Sequence, residues 1–237
     1  MHEEWPGDNK SYSVAGTDEE VKFIIDVLNL AKQAKVFDLY CGYGRHAIEL
    51  VKHGYKVIGL DSSESFIEIA RKNAREEAVD IQFVAGDMRN MEYKHEFDAV
   101  INMFAAFGYF TDEENADIIR KISASLKPGG KFLIDMLNRE WMMKNSINRY
   151  WRHPSGEYVL SYKVDLVQGI CFMKRTLFNQ IDGTKKEYEF TLRAYSKQEL
   201  DALITAADMK ITAVYGGFDK RVYDTNSPRM IILAEKY

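Results

Sequence analysis

The sequence predicts an α/β fold in which helices flank a mostly parallel sheet and an antiparallel three-stranded insertion interrupts the core. Three observations predict it: a βαβ pattern in residues 35–61, strands that alternate with helices up to residue 136, and hairpin-type strands between residues 141 and 195. Residues 1–140 and 196–237 are therefore expected to form the core domain, and residues 141–195 the insertion.

Residues 35–61 contain a buried strand, a glycine turn, a helix and a second strand. Gly42 and Gly44 allow the backbone to turn tightly at the start of the helix. Asp61 ends the second strand, where a carboxylate can accept hydrogen bonds from both hydroxyls of a ribose. This order of elements predicts a nucleotide-binding unit.

Helices and strands continue to alternate after this unit. Strands are expected over residues 36–39, 57–60, 81–85, 97–101 and 132–136. Helices are expected over residues 18–31, 63–77 and 112–126. The segment Thr17-Asp18-Glu19-Glu20 gives the first helix an acidic start suited to its dipole, and Thr111 is a plausible cap for the last helix. Strands that alternate with helices favour parallel pairing with right-handed crossovers.

The segment from residue 141 to residue 195 has strand patterning without helices between the strands. Strands are expected over residues 158–167, 171–181 and 186–195. The dipeptide Asp182-Gly183 is a strong hairpin signal between the second and third of them. We therefore expect a three-stranded antiparallel insertion between the fifth strand of the core and the next helix.

Polar motifs recur where the predicted core strands end. They are D-L-Y-C-G-Y-G from Asp38, Gly86-Asp87-Met88 and Asn102-Met103-Phe104, and a further motif, L-K-P-G-G, introduces the fifth strand. This series resembles the class I S-adenosylmethionine-dependent methyltransferases, which have a Rossmann-like fold. The resemblance covers residues 36–136 and, more loosely, residues 196–237. It implies an enzyme that binds S-adenosylmethionine and transfers its methyl group.

The resemblance also implies roles for matching positions. Asp38 would organise the glycine turn and the ammonium group of the cofactor, Asp61 would hold the ribose, and Asp87 would pair with the adenine amine. The implied cofactor-binding residues are Asp38, Gly42, Gly44, Asp61, Ser62, Asp87, Met88, Asn102 and Met103. Tyr40 departs from the family pattern, because many members have a glycine at this position.

Methyl transfer from a sulfonium requires an acceptor lone pair held close to the methyl and opposite the sulfur, and it needs no metal. A base helps where the acceptor begins protonated. The candidates for orienting or deprotonating the acceptor are His46, Tyr109, Arg193 and Tyr195. The insertion follows the fifth strand, so we expect it to cover the acceptor site, with Tyr150, Arg193 and Tyr195 as contacts.

Composition restricts the class of partner. The net charge of −4 and the dispersed basic residues argue against a nucleic-acid surface, so a small-molecule acceptor is expected. Two cysteines far apart in sequence make neither a disulfide scaffold nor a zinc cluster. Without an apolar leader or a long apolar run, the expected location is cytoplasmic, with no membrane partner, and the expected state is a monomer or homodimer.

Three alternatives remain open at the level of sequence. The Gly42-x-Gly44-x-x-Ala47 turn also fits the fingerprint of a dinucleotide-binding oxidoreductase, although Asp38 before the turn disfavours it. An RNA or protein methyltransferase would share the cofactor motifs. A non-catalytic protein could bind S-adenosylmethionine without transferring the methyl group. The preferred interpretation is transfer to N or O of a small molecule.

Overall fold

The computed structural model of the protein describes residues 10–145, 147–152, 158–167 and 169–237. The α-helices are α1 (Lys10–Leu28), α2 (Arg45–Lys52), α3 (Glu64–Glu76), α4 (Asp112–Ser125), α5 (Arg139–Lys144) and α6 (Lys197–Thr205). The strands are β1 (Lys35–Leu39), β2 (Lys56–Asp61), β3 (Gln82–Ala85), β4 (Phe97–Asn102), β5 (Leu126–Leu137), β6 (Ile147–Arg152), β7 (Tyr158–Val167), β8 (Ile170–Asn179), β9 (Lys185–Arg193), β10 (Met209–Tyr215) and β11 (Arg229–Lys236). Within these stretches, no helix has the length and apolar character needed to cross a membrane.

The larger sheet has seven strands in the order β10-β11-β5-β4-β1-β2-β3. Strands β1 to β5 pair in parallel, and β11 runs antiparallel to both β5 and β10. This arrangement confirms the predicted mostly parallel sheet. The chain winds outward from β1 in one direction and from β4 in the other, so a crevice opens beyond the carboxyl ends of these two strands.

Helices cover both faces of this sheet. Helices α1, α2 and α3 bury one face through residues such as Ile24, Leu50 and Ile67. Helices α4 and α6 bury the other face through residues such as Ile119 and Leu200. With both faces occupied by apolar packing, polar groups that meet a ligand are concentrated at the carboxyl edge of the sheet.

The two predicted crossover helices are present as α3 and α4. The Ser63 side chain accepts a hydrogen bond from the backbone N–H of Phe66 at the start of α3. Thr111 and Glu114 form a reciprocal capping box at the start of α4. These caps satisfy backbone donors that have no partner inside the helix, which is why both helices begin where the sequence predicts.

The first helix differs from the prediction. It begins at Lys10 rather than at residue 18 and ends at Leu28, where Asn29 follows with a φ of 45°. The segment from Thr17 to Glu20 therefore lies inside α1 and is not its acidic start, so that prediction was wrong. The polar side chains expected at the helix start instead have tertiary partners, because Arg45 donates to the Thr17 hydroxyl and Glu20 pairs with Arg45 and His46 of α2.

The insertion is an antiparallel sheet in the order β6-β7-β8-β9. The three predicted strands are β7, β8 and β9, and Gly183 occupies the β8–β9 turn with a φ of 74°. An additional edge strand, β6, pairs with β7. Its sequence was not predicted as a strand because the polar residues Asn148 and Arg149 interrupt the apolar alternation. Tyr150 lies in β6 opposite Ser161, and the structure describes only its backbone.

The insertion contacts the core through a small apolar cluster. Its buried members are Met142, Cys171, Leu192 and Ala194, and the partly buried members include Ala105, Tyr109, Leu137, Trp141 and Met173. Ala105 and Tyr109 belong to the loop that follows β4. The insertion therefore packs on the loop at the carboxyl edge of the large sheet.

Candidate cofactor and acceptor site

A cavity of about 260 Å³ opens at the carboxyl ends of β1 and β4. Its walls are formed by Glu20, Asp38, Tyr40, Cys41, Gly42, Tyr43, Arg45, His46, Met103, Phe104 and Ala106. Four of the residues predicted from sequence are therefore brought together here: Asp38, Gly42, His46 and Met103. The remaining wall comes from α1, from the turn between β1 and α2 with the start of α2, and from the loop after β4.

Asp38 is the buried carboxyl group of this cavity, with 2% of the residue exposed. Burial raises the pKa of Asp38 to about 7; the Arg45 guanidinium opposes this rise, whereas the charge of Asp61 adds to it. The Oδ2 atom of Asp38 has no hydrogen-bond partner. A buried oxygen without a partner is costly, so its position on the cavity wall fits an ammonium group of a ligand.

Asp61 organises the glycine turn. One of its carboxylate oxygens accepts a hydrogen bond from the backbone N–H of Gly42, and the other accepts one from Ser63, each at 2.9 Å. A Cβ added to Gly42 would meet nothing within 4 Å, so there is room for a ligand to approach the backbone at this residue. A Cβ added to Gly44 would lie 2.6 Å from the Phe83 ring, so Gly44 is required for packing of α2 on the sheet.

Tyr40 adopts the conformation of the glycine that it replaces. Its φ is 67°, in the left-handed region that L-residues with side chains rarely occupy. The Tyr40 ring stacks on Tyr109 with centroids 5.5 Å apart, and Tyr109 stacks on Phe190 of β9 at 6.4 Å. An aromatic series thus links the cavity wall to the insertion. Tyr109 belongs to this series and is not among the residues that line the cavity.

Asn102 and Met103 end β4 next to the cavity. The Asn102 Nδ2 group donates to the backbone oxygen of Leu39 at 3.0 Å, which ties the ends of β4 and β1 together. Met103 is 4% exposed and lines the cavity. Asn102 is almost fully buried and is not among the lining residues, so its contacts position the two strand ends.

The next residue, Phe104, is 47% exposed at the rim of the cavity. Phe104 and Ala105 both have left-handed φ angles, 64° and 54°. The backbone N–H of Phe104 donates to Asp135 Oδ2 at 2.9 Å, and that of Ala105 donates to the backbone oxygen of Asp135 at 2.8 Å. The guanidinium group of Arg229 donates hydrogen bonds to both oxygens of the same carboxylate. These contacts hold a strained loop in place, which is typical of functional sites.

Sequence reasoning missed Asp135 and Arg229 as part of this site. Asp135 interrupts the apolar strand F-L-I-D-M, and a carboxylate in a buried strand is the signal that could have identified it. The guanidinium groups of Arg229 and Arg45 lie 4.8 Å and 4.2 Å from the centre of the Phe104 ring. Phe104 is thereby fixed by two cations at the cavity rim.

Glu20 is a further residue that sequence reasoning missed as part of the site. Its carboxylate pairs with Arg45 and lies 3.0 Å from His46 Nε2. Although burial opposes it, the hydrogen bond from His46 and the charge of Arg45 lower the pKa of Glu20. Burial lowers the pKa of His46, so its ring is predominantly uncharged near neutral pH. No local signal in α1 indicates this contact.

Asp87 and Met88 lie after β3. Asp87 caps the short 3₁₀ helix Met88–Asn90, and the hydrogen bond from Arg89 lowers the pKa of its carboxyl group. Met88 is 4% exposed. Ser62 follows Asp61 directly and is exposed. These residues follow the ends of β2 and β3, as the resemblance implies for the nucleoside portion of the cofactor.

Arg193 and Tyr195 do not line the cavity. Arg193 pairs with Glu199 and Asp112 and donates to the backbone oxygen of Gly169. The Tyr195 hydroxyl group donates to Asp112 at 2.8 Å, and burial raises the pKa of Tyr195. Both side chains therefore connect the end of β9 to α4 and α6.

Known proteins share this arrangement. The sequence profile of the methyltransferase domain matches residues 36–130. A protein of Geobacillus sp. (strain WCH70) named as a methyltransferase is 32% identical over 209 residues, which span 85% of this chain and 84% of that protein. The dTDP-3-amino-3,4,6-trideoxy-alpha-D-glucopyranose N,N-dimethyltransferase of Streptomyces venezuelae is 24% identical over 223 residues, 89% of each chain.

The fold is also found in solved structures, including one that has its cofactor bound. It is CalS10 with S-adenosylmethionine bound, an amino pentose methyltransferase from Micromonospora echinaspora involved in calicheamicin biosynthesis. Its TM-score is 0.75 at 20% identity, and the match covers 100% of both chains.

The Rossmann-like sheet, together with the match to the methyltransferase domain, is that of a class I methyltransferase. The chain belongs to the S-adenosylmethionine-dependent methyltransferases. S-adenosylmethionine is its cofactor, and when bound it supplies an activated methyl group on a sulfonium. The unpartnered oxygen of Asp38, the open backbone at Gly42 and the strand-end carboxylate of Asp61 fit its ammonium and ribose groups.

Proposed function

We propose that this enzyme methylates an amino nitrogen of a small, sugar-like acceptor. Two similar proteins that match along most or all of this chain, insertion included, are named for amino sugars or amino pentoses. Similarity that includes the insertion supports a related acceptor, because the insertion packs on the loop at the cavity rim.

The observation that carries the proposal is the composition of the cavity. Its wall includes the unpartnered Asp38 oxygen, which suits the ammonium group of the cofactor. The same wall includes His46 and the half-exposed side chain of Phe104. An acceptor held against His46 and Phe104 would meet the methyl group inside this cavity, with its lone pair opposite the sulfur.

His46 is the proposed base. An amine acceptor is protonated near neutral pH and must lose a proton before its lone pair can attack. Burial keeps the His46 imidazole uncharged, and Glu20 beside Nε2 stabilises the ring once it has gained the proton. Glu20 thus has the orienting role that a carboxylate commonly has beside a catalytic histidine.

Tyr40, Tyr109 and Phe190 are proposed to form the wall of the acceptor pocket on the side of the insertion. Their rings stack in sequence from the cavity to β9. Asp38, Gly42, Gly44, Asp61, Ser62, Asp87, Met88, Asn102 and Met103 remain the proposed cofactor-binding set.

The test is a transfer assay with methyl-labelled S-adenosylmethionine and a panel of amino sugars, each paired with the analogue that carries a hydroxyl group instead of the amine. We expect label on nitrogen only.

His46→Gln should lower kcat/KM about 100-fold near neutral pH, the usual contribution of a general base, with unchanged affinity for S-adenosylhomocysteine. Asp61→Ala serves as the contrasting control, because it should weaken cofactor binding by about 1.5–3 kcal/mol. Equal transfer to the hydroxyl analogues, or transfer to RNA alone, would contradict the proposal.

A further inference from the structure

The carboxylate of Asp87 is already engaged by a neighbouring side chain. Arg89 donates from Nη2 to Asp87 Oδ2 at 2.6 Å and from Nε to both carboxylate oxygens at 3.0 and 3.1 Å. The backbone N–H of Arg89 donates to Oδ1 at 2.8 Å. An ionised carboxylate has about four lone-pair positions, so these contacts leave little capacity for another donor.

Arg89 also has a second set of partners. Its Nη1 donates to Glu114 Oε1 at 2.7 Å, and its guanidinium lies 4.3 Å from the centre of the Phe110 ring. Glu114 is in the first turn of α4, so Arg89 bridges the 3₁₀ helix and α4. The side chains of Arg89 and Glu114 are 41% and 38% exposed, which leaves room for the guanidinium to move.

We propose that Arg89 is a positioning residue that competes with the adenine amine for Asp87, and that Glu114 draws it away when the cofactor binds. This inference rests on the proposed position of the adenine at Asp87. The adenine amine and the guanidinium are both donors and require the same carboxylate oxygens. A guanidinium released from Asp87 keeps Glu114 and Phe110 as partners, so the exchange does not leave a charge without a partner.

The test measures the affinity for S-adenosylhomocysteine by calorimetry at low salt. Arg89→Ala removes the competitor and should tighten binding about two- to fivefold, the range of an exposed ion pair. Glu114→Gln removes the alternative partner and should weaken binding by a similar factor. If the ion pair between Arg89 and Glu114 were merely structural, its loss would change the affinity of both variants in the same direction. Tighter binding by one variant and weaker binding by the other is therefore specific to the competition.

Two controls complete the experiment. Thr111→Ala removes the other half of the α4 capping box without touching Arg89, so its affinity should equal that of the wild type. In the double variant Arg89→Ala/Glu114→Gln, the effect of Glu114 should vanish. Weaker or unchanged binding by Arg89→Ala would overturn the proposal.

The variant Asp87→Asn distinguishes two ways in which the proposal could be wrong, namely the competition by Arg89 and the position of the adenine at Asp87. If Asp87→Asn leaves the affinity unchanged, the adenine does not use Asp87 and the inference fails with that placement. If Asp87→Asn weakens binding while Arg89→Ala does not tighten it, the placement stands and only the competition is wrong.

Discussion

At the scale of single residues, Asp38 is the carboxyl group of the site whose pKa is raised by burial. It is buried in β1, accepts a hydrogen bond from the backbone N–H of Ala47 at the start of α2, and leaves its second oxygen unpaired. Desolvation disfavours its charged form more strongly than the neighbouring Arg45 favours it. The free protein therefore holds a carboxyl group in an environment that suits it best when it is protonated or when a cation is bound.

This burial predicts a pH dependence of stability. The pKa of Asp38 rises from 3.8 to about 7 on folding. Between these two pH values the native state keeps a proton on Asp38 that the unfolded chain has already released. The contribution of this group to the free energy of unfolding is fully present below about pH 4 and is lost as pH rises through about 7, at about 1.4 kcal/mol per pH unit.

Asp38→Asn should remove that slope. Urea unfolding of the cofactor-free wild type and variant, at about pH 5 and about pH 8, measures the difference between the two chains. The variant should be relatively more stable than the wild type at the higher pH. Parallel pH profiles for the two proteins would show that Asp38 is ionised throughout this range.

At the scale of secondary-structure elements, the connection between β9 and the core decides whether the insertion can shape the acceptor site. The backbone N–H of Arg193 donates to the backbone oxygen of Gly108 at 2.8 Å, and its side chain pairs with Glu199 of α6. Gly108 directly precedes Tyr109, which stacks on Phe190 of β9. A shift of β9 would therefore displace the aromatic wall next to Tyr40.

Arg193→Ala should lower turnover of the acceptor at least about tenfold, a loss of roughly 1.4 kcal/mol of transition-state stabilisation, with little change in affinity for S-adenosylhomocysteine. Tyr195→Phe is the matched variant, because it removes only the hydroxyl group that donates to Asp112. Its turnover should stay within about twofold of the wild type if the hydroxyl group is not a base. Steady-state kinetics and calorimetry check both. Loss of cofactor binding in Arg193→Ala, or a large loss of turnover in Tyr195→Phe, would contradict these roles.

At the scale of the whole molecule, the cavity joins elements from distant parts of the chain. Glu20 comes from α1, Arg45 and His46 come from α2, and Phe104 comes from the loop after β4. Arg229 of β11 reaches the same loop through Asp135. A ligand bound here contacts groups that come together only in the folded state, so it stabilises that state by mass action.

S-adenosylhomocysteine at about 100 times its dissociation constant should add about 2.7 kcal/mol to the free energy of unfolding. For a chain of this size the expected increase in Tm is roughly 5–10 °C. NAD at the same concentration should leave Tm unchanged, because this family uses S-adenosylmethionine. Thermal unfolding followed by circular dichroism compares the two ligands. Stabilisation by NAD without stabilisation by S-adenosylhomocysteine would reverse the assignment of the ligand.

Much of the fold could be predicted from the sequence because its signals are local. Periodic apolar residues identify α3 and α4, and Thr111 marks where α4 begins. The position of Asp61 at the end of β2 is likewise set by chain order, since a side chain at the end of a parallel strand lies at the edge where ligands bind. The hairpin at Asp182-Gly183 follows from turn chemistry alone.

The partners of these residues were decided only by the tertiary structure. Nothing near Glu20 in sequence indicates that it pairs with Arg45 and His46, because the contact depends on how α1 packs against α2. The carboxylate of Asp135 in β5 pairs with Arg229 in the neighbouring strand β11, although the two residues are 94 positions apart in the chain. Periodicity tells which face of an element is buried, whereas the pairing of charged groups across elements depends on packing geometry that no local pattern contains. The sequence by itself therefore determined the class of ligand and the edge of the sheet that binds it, and the tertiary structure decided which groups surround it.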